Sequence, residues 1–278
     1  MKLPWLPAGH TACLAGRGEV FYRHHRHADA SAPTLLLLHG WTATADLQFF
    51  TAYEALAEHY SFIAVDHRGH GRGLRTNEKF ELSDAAEDAA QLLQQLGVGP
   101  VVTVGYSMGG PISMLLAQSH PDLVHGMVLQ ATQLEWKSGW IERFRWKTVH
   151  ILGPYLRSHA YPRSMRWGIK RLLGPNHPTA QFVPWLASEL RRNDSINMVQ
   201  AGQSLSHFDA RSWASSLGKP AASLVTTGDR LVTPRRQRAL ADALNAFVVE
   251  VPADHLAAWT APDAFAKATL ELVRSVVN

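Results

Sequence analysis

The chain has 278 residues, 46% hydrophobic and 18% charged, a composition typical of a globular protein with ample material for a core. The net charge of +4 is too small to indicate nucleic-acid binding, and Cys13, the only cysteine, excludes an intrachain disulfide. No apolar run approaches the ~18 residues of a membrane span, and the first residues do not resemble a secretory signal. We therefore expect a reduced, cytoplasmic protein.

The first third of the chain predicts strands alternating with helices. Residues 11–25 alternate around Gly16-Arg17-Gly18, which indicates a hairpin. PTLLLLHGW and YSFIAVDHRGHG each contain a short continuous apolar run, the pattern of a strand buried on both faces. Residues 46–59 have helical spacing, and residues 82–96 predict a long helix with Ser83 as its N-cap.

The alternation continues after a long interruption. VVTVGYSMGGPISMLL predicts a strand, a tight turn and a helix, and VHGMVLQAT predicts another strand. Beyond the interruption, PAASLVTTGD and AFVVEVP predict strands, while residues 234–244 and 262–277 predict helices. Such an order indicates an α/β fold with a mostly parallel sheet and helices on both faces.

The interruption, residues 133–207, differs in composition. It holds five of the nine tryptophans and eleven Lys/Arg against four Asp/Glu. We interpret it as an inserted helical cap on a core formed by residues 1–132 and 208–278. Its apolar residues are expected to pack on the sheet with the cations in water. Alternatively, Trp and Arg line a pocket mouth or contact an anionic lipid surface.

Ser107 lies where a buried strand is predicted to turn into a helix. Ligands bind at the carboxyl ends of parallel strands, and a sharp turn there leaves little room for side chains, which explains Gly105 and Gly109. The helix N-terminus directs free N–H groups at whatever the serine attacks. The pattern therefore indicates an exposed nucleophile beside an anion site.

These residues resemble the α/β-hydrolase superfamily over nearly the whole chain. The similarity rests on His39-Gly40-Trp41, on the loop Asp66-His67-Arg68-Gly69-His70-Gly71, and on Gly105-Tyr106-Ser107-Met108-Gly109-Gly110. An acid after a late strand and a histidine after the last strand complete the superfamily's chain order. The resemblance implies an eight-stranded, mostly parallel sheet with an inserted cap.

The resemblance also implies partners for Ser107. A serine needs a base whose pKa is near the working pH, which favours histidine, and His255 follows the last predicted strand. A carboxylate must orient that histidine. Asp229 is favoured for this role, and Asp254 and Asp66 are the rivals.

By the same resemblance, the backbone N–H groups of Trp41 and Met108 form the oxyanion hole. The candidates for the substrate pocket are His39, Tyr106, Trp136 and Trp140. We expect no cofactor and no metal site, and a monomer or homodimer. His24, His25 and His27 form a cluster that a solvated hairpin end explains better than metal binding.

The leading hypothesis is a serine hydrolase that cleaves carboxylic esters of hydrophobic small molecules through an acyl-enzyme. The same triad also serves C–C bond hydrolases, lactonases, amidases, acyltransferases and cofactor-free perhydrolases. Epoxide and haloalkane hydrolysis are disfavoured, because relatives with that chemistry place Asp where Ser107 stands. A non-enzyme alternative is a ligand receptor that retains the fold.

Overall fold

The computed structural model describes residues 2–136 and 160–277. Its centre is one eight-stranded sheet in the order β1-β2-β4-β3-β5-β6-β7-β8. β2 runs antiparallel to both β1 and β4, whereas β3 to β8 run parallel to one another, so the predicted mostly parallel sheet is confirmed. The strands are β1 Ala8–Leu14, β2 Gly18–His25, β3 Thr34–Leu38, β4 Ser61–Val65, β5 Val101–Tyr106, β6 Val124–Gln130, β7 Ala221–Thr226 and β8 Phe247–Val251.

Helices cover both faces of this sheet. In the described ranges the α-helices are α1 Ala45–Phe49, α2 Tyr53–Ala57, α3 Leu82–Leu96, α4 Gly109–Ser119, α5 Ala160–Leu173, α6 Val183–Leu190, α7 Ser195–His207, α8 Pro234–Ala243, α9 Ala257–Thr260 and α10 Pro262–Val277. None of these helices is long and apolar enough to cross a membrane.

The central strands are buried on both faces, which explains their continuous apolar runs. Leu35 and Leu37 belong to the core cluster on one face, and Leu36 and Leu38 to the cluster on the other. All four side chains are inaccessible to solvent. Because successive strand residues point to opposite faces, every position must be apolar for both layers to pack.

The helix predicted over residues 46–59 is divided in two. α1 ends at Phe49 and α2 begins at Tyr53. The Leu47 carbonyl, which would accept from residue 51 in a continuous helix, accepts from the Trp259 indole N–H at 2.7 Å. A contact with a residue near the other end of the chain therefore accompanies the break.

The start of α3 also differs from the prediction, because Ser83 lies inside the first turn and Glu81 occupies the N-cap position. The Leu82 N–H donates to the Ser204 hydroxyl at 3.0 Å, and that hydroxyl donates to Glu81 at 2.8 Å. A side chain of α7 therefore accepts the hydrogen bond from the helix N-terminus that a local capping residue was expected to accept.

The described part of the interruption between β6 and β7 is helical, as predicted, with α5, α6 and α7 and a 3₁₀ helix at Pro178–Phe182. Treating residues 133–207 as a functional cap stays a prediction.

Candidate functional site

Ser107 lies on the turn between β5 and α4, at the carboxyl end of a central strand. Its φ of 51° is in the left-handed region, which costs a non-glycine residue ~1–3 kcal/mol. The Ser107 N–H donates to the Gln130 carbonyl, and the Thr132 hydroxyl donates to the Ser107 carbonyl, both at 2.8 Å. These contacts with β6 and the loop after it hold the strained turn in place.

The glycines beside Ser107 are required by close packing. A Cβ atom on Gly109 would lie 2.0 Å from the Leu38 carbonyl oxygen, and one on Gly105 would lie 2.4 Å from the Gly109 carbonyl oxygen. Neither backbone contact can be relieved by a side-chain rotation, so the motif has a steric origin.

His255, in the loop after β8, contacts the serine directly. His255 Nε2 lies 3.0 Å from Ser107 Oγ, and His255 Nδ1 lies 2.7 Å from Asp229 Oδ2. A carboxylate beside Nδ1 assigns the proton to that nitrogen, which leaves Nε2 as the acceptor for the serine hydroxyl. Tyr106 holds this loop, since its hydroxyl donates to the His255 carbonyl at 3.0 Å.

Asp229 is buried at the end of the turn after β7. Its Oδ1 accepts from the Leu231 and Val232 N–H groups at 2.8 and 2.9 Å. Burial by itself would raise the pKa of Asp229, but the bond from His255 and the backbone N–H donors more than offset it, so the pKa is lowered. The carboxylate is therefore held charged beside the imidazole.

Two further residues that the sequence analysis missed support Asp229. The Thr226 hydroxyl donates to Asp229 Oδ2 at 3.0 Å and accepts from Gln237 Nε2 at 2.9 Å. Gln237 is inaccessible to solvent, and its Nε2 lies 3.3 Å from the same carboxylate oxygen. In the sequence, the support that Gln237 gives to Asp229 could have been inferred from a glutamine on the buried face of the predicted helix 234–244.

Neither rival carboxylate is hydrogen-bonded to the His255 imidazole. Asp254 accepts from the Leu256 N–H at 2.9 Å and the Thr260 hydroxyl at 3.0 Å, at the start of α9. Asp66 accepts from the backbone N–H groups of Ala45 and Arg72, both at 2.8 Å, so it orders two loops. Only Asp229 of these three carboxylates is joined to the histidine.

The Gly40–Trp41 peptide lies against the serine turn, because a Cβ on Gly40 would be 3.2 Å from Ser107 Cβ. The His39 ring orients this peptide: Nδ1 lies 2.8 Å from the Gly40 carbonyl oxygen, and Nε2 accepts from the His67 N–H at 3.0 Å. The carbonyl and N–H of one trans peptide point in opposite directions. Fixing the Gly40 carbonyl therefore fixes the Trp41 N–H on the other side.

His39 belongs to a buried cluster with His67 and His70. Their ring centroids lie 4.2 and 5.3 Å from the His39 ring. Burial, reinforced by the neighbouring imidazoles, lowers the pKa of His39 well below its usual value and that of His67 to about 3. Burial likewise lowers the pKa of His70 to about 4. All three rings are therefore neutral at physiological pH.

Ser107 and His255 open into a cavity of about 130 Å³. Its walls are mostly apolar, and its described lining comprises Gly40, Trp41, Thr42, Ala43, Leu47, Gln48, Tyr106, Leu190, Leu256, Ala258 and Trp259 besides the two reactive residues. An apolar cavity with a few convergent polar groups is the usual form of a small-molecule site.

Of the four residues predicted to line this pocket, Tyr106 does so. His39 lies one layer beneath the lining, where it holds the Gly40 carbonyl. Trp136 is only 4% exposed, packs in the core cluster that contains Leu36 and Leu38, and is not among the described residues that line the cavity. Trp140 lies outside the described residues.

The loops beside the site are bonded to the segment that contains α6 and α7. Trp41 Nε1 donates to the Met198 carbonyl, and the Asn193 amide donates to the Thr42 carbonyl, each at 2.7 Å. Arg72, which follows the loop Asp66–Gly71, pairs with Glu189 of α6 at 2.9 Å. This side of the cavity is therefore anchored to the core.

The cluster of His24, His25 and His27 contributes to the hairpin packing. His25 Nε2 lies 3.2 Å from the Ala57 carbonyl oxygen, and His27 Nε2 lies 3.3 Å from that of Glu58. Within residues 2–136 and 160–277, no three His, Cys, Asp or Glu side chains are arranged to hold a metal ion.

A family model described as alpha/beta hydrolase fold matches residues 33–262. Among curated relatives, the chain is 36% identical over 98 residues to the 2-(acetamidomethylene)succinate hydrolase of Mesorhizobium japonicum, an alignment that covers 35% of each protein. It is 28% identical over 165 residues to a 1-acylglycerol-3-phosphate O-acyltransferase of Arabidopsis thaliana, which covers 54% of this chain and 38% of that protein. The aligned parts thus span little more than a third of these relatives, whose names give different reactions.

Solved structures match over almost the whole chain. The enol-lactonase from Burkholderia xenovorans superposes with a TM-score of 0.82 at 22% identity, covering 95% of this chain and 100% of that chain. A thermophilic esterase from Thermogutta terrifontis superposes with a TM-score of 0.78 at 22% identity, covering 97% and 99%. At this identity the likeness establishes the fold alone.

Proposed function

This chain belongs to the alpha/beta hydrolase fold family, and we propose that it is a serine hydrolase that cleaves carboxylic esters of small, largely apolar molecules. The observation that carries the proposal is the continuous chain of short contacts from Asp229 through His255 to Ser107, which ends at the apolar cavity. This arrangement generates a nucleophile where a carbonyl compound can bind.

In the first half of the reaction, His255 Nε2 removes the proton from Ser107 Oγ as the oxygen attacks the ester carbonyl. Asp229 stabilises the imidazolium that forms and keeps Nε2 directed at the serine. The negative charge that develops on the carbonyl oxygen is stabilised by the backbone N–H groups of Met108, at the start of α4, and Trp41. The imidazolium then protonates the departing alcohol.

In the second half, a water molecule attacks the acyl group on Ser107. His255 takes the proton of that water, and the tetrahedral intermediate collapses to release the acid and restore the serine hydroxyl. Because the same three residues act in both halves, removal of the serine hydroxyl abolishes the whole cycle.

The lining of the cavity supports the choice of substrate class. Leu47, Leu190 and Trp259 present apolar surface beside the nucleophile, which favours an uncharged, partly hydrophobic acyl or alkyl group. Trp259 is held rigidly by its bond to the Leu47 carbonyl, so the wall is preformed.

The test is hydrolysis of p-nitrophenyl esters from acetate to palmitate by the native protein and by Ser107→Ala. We expect multiple turnovers by the native protein and a loss on the order of 10³-fold or more in the variant. Release of p-nitrophenol that is unaffected by Ser107→Ala would refute the proposal. So would a failure to release p-nitrophenol from any of the esters. A single slow turnover would instead favour a receptor that retains the fold.

A further inference from the structure

Gln48 places a carboxamide in an otherwise largely apolar cavity wall. It lies on α1, a helix whose five residues are all buried, and is itself only 8% exposed. Its side chain lines the cavity and has no hydrogen-bond partner among the described residues. Its amide atoms are therefore available to a ligand in the cavity, whereas the amide nitrogens of the buried Gln130 and Gln237 donate to Thr269 and Val232.

The position of this amide is close to the proposed reaction centre. The point where a Cβ atom of Gly40 would lie is 3.4 Å from Gln48 Oε1 and 3.2 Å from Ser107 Cβ. The amide and the serine therefore flank the same small space, which exists because residue 40 has no side chain. A substrate bonded to Ser107 has atoms within a few bonds of its carbonyl carbon in reach of Gln48.

The charge of the cavity indicates what kind of group binds there. No Asp, Glu, Lys or Arg is among the described residues that line it, so a carboxylate or ammonium group would be desolvated without an opposite charge. A carboxamide is neutral and both donates and accepts hydrogen bonds. An uncharged oxygen or amide group is the matching partner.

We propose that Gln48 is a specificity-determining residue whose carboxamide binds an uncharged hydrogen-bonding group of the substrate, such as an ether, hydroxyl or carbonyl oxygen, close to the reacting carbonyl. The proposal rests on the proposed ester hydrolysis for the identity of that carbonyl. It narrows the substrate class from apolar esters to esters with one polar, uncharged substituent near the scissile bond.

The experiment compares ester pairs in which one CH₂ group is replaced by oxygen. p-Nitrophenyl butyrate and p-nitrophenyl methoxyacetate form the acyl pair, and butyl acetate and 2-methoxyethyl acetate form the alcohol pair. For each pair, the ratio of kcat/KM values is measured in the native protein and in Gln48→Met, an unbranched apolar side chain of similar length. Comparing this ratio between the native protein and the variant cancels the difference in intrinsic reactivity between the two esters of a pair.

Leu47→Met is the matched control, because Leu47 lies on the same helix and lines the same cavity but has no polar atom. In Gln48→Met we expect the preference for the oxygen-containing ester to fall about fivefold in at least one pair, the range of one neutral hydrogen bond. Leu47→Met is expected to leave both ratios within about twofold. Unchanged ratios in Gln48→Met, or an equal change in Leu47→Met, would overturn the role of Gln48.

Binding to Ser107→Ala separates this inference from the proposed hydrolysis. Ligand-observed NMR titrations of the same four esters, with and without Gln48→Met, measure recognition when no bond is cleaved. Weaker binding of the oxygen-containing esters in the double variant supports the inference even if no ester is a substrate. Equal binding by both proteins refutes it even if Ser107-dependent hydrolysis is observed.

Discussion

The buried cluster of His39, His67 and His70 predicts that the protein loses stability in mild acid. In the unfolded chain these imidazoles titrate near a pKa of about 6.5, whereas burial lowers the pKa of His67 to about 3 and that of His70 to about 4. The pKa of His39 is also lowered well below its usual value by burial. Between these limits the unfolded state binds protons that the folded state does not, so stability falls as the pH falls below 6.5.

The size of the effect follows from linkage. Lowering the pH from 7 to 5.5 costs slightly more than ~1 kcal/mol for each histidine that stays neutral in the folded state, hence roughly 4 kcal/mol if all three do so. Asp66 opposes this loss: burial and the nearby Asp46 raise its pKa to about 6, so the folded state takes up that proton first. Its contribution stabilises the folded state by about 1 kcal/mol over the same interval, leaving a net loss of roughly 3 kcal/mol.

The assay is urea unfolding followed by tryptophan fluorescence at half-unit steps from pH 7.5 to 5.0. A loss of ~3 kcal/mol is a large part of the ~5–15 kcal/mol that stabilises a typical domain. His67→Gln removes one titrating group, so the slope of unfolding free energy against pH is expected to fall by up to ~1.4 kcal/mol per unit between pH 6 and 5. A change below ~1 kcal/mol between pH 7 and 5.5, or an unaltered slope in the variant, would refute the reasoning.

Three substitutions test the site itself. Asp229→Asn is expected to lower kcat on the order of 10³- to 10⁴-fold, because an amide no longer stabilises the imidazolium or fixes its tautomer; steady-state kinetics with circular dichroism as a folding control measure this. Gln237→Leu removes a donor to that carboxylate and to Thr226, and is expected to lower kcat about tenfold with KM little changed; equal kcat values would show that Gln237 does not position the acid. Gly109→Ala is expected to lower the free energy of unfolding by more than ~3 kcal/mol or to prevent folding, because the added Cβ would overlap a carbonyl oxygen. Gly168→Ala in α5 is the control: its added Cβ would meet no atom within 4 Å, so thermal unfolding is expected to show a stability gain of up to ~1 kcal/mol. Similar effects of the two changes would contradict the steric account of the motif.

Much of the architecture was predictable because its determinants are local in the sequence. The helix predicted over residues 82–96 coincides with the range of α3, although its N-cap residue was wrongly predicted, since the spacing of its apolar residues and the terminating Gly97 lie within one segment. The alternation of buried strands and helices likewise predicted the mostly parallel sheet, and the resemblance of the motifs implied the family, which the family model confirms. The tight turn at Ser107 was also predictable, because Gly105 and Gly109 indicate that other backbone atoms pack closely against the turn.

The remaining features depend on contacts between distant parts of the chain. The break between α1 and α2 coincides with a bond from Trp259, about two hundred positions away. The sequence favoured Asp229 over Asp66 and Asp254 as the acid, and the path of the turn after β7 is what brings Asp229 to His255.

The sequence by itself determined the sheet, most of its helices and the serine turn, because periodicity and glycine spacing are properties of neighbouring residues. Only the tertiary structure decided which acid contacts the histidine, that Gln237 and Thr226 support that acid, and that Gln48 lines the cavity while His39 lies beneath it. These are matters of side-chain direction and of separations below about 4 Å across the fold, and a linear pattern does not specify which distant residues meet.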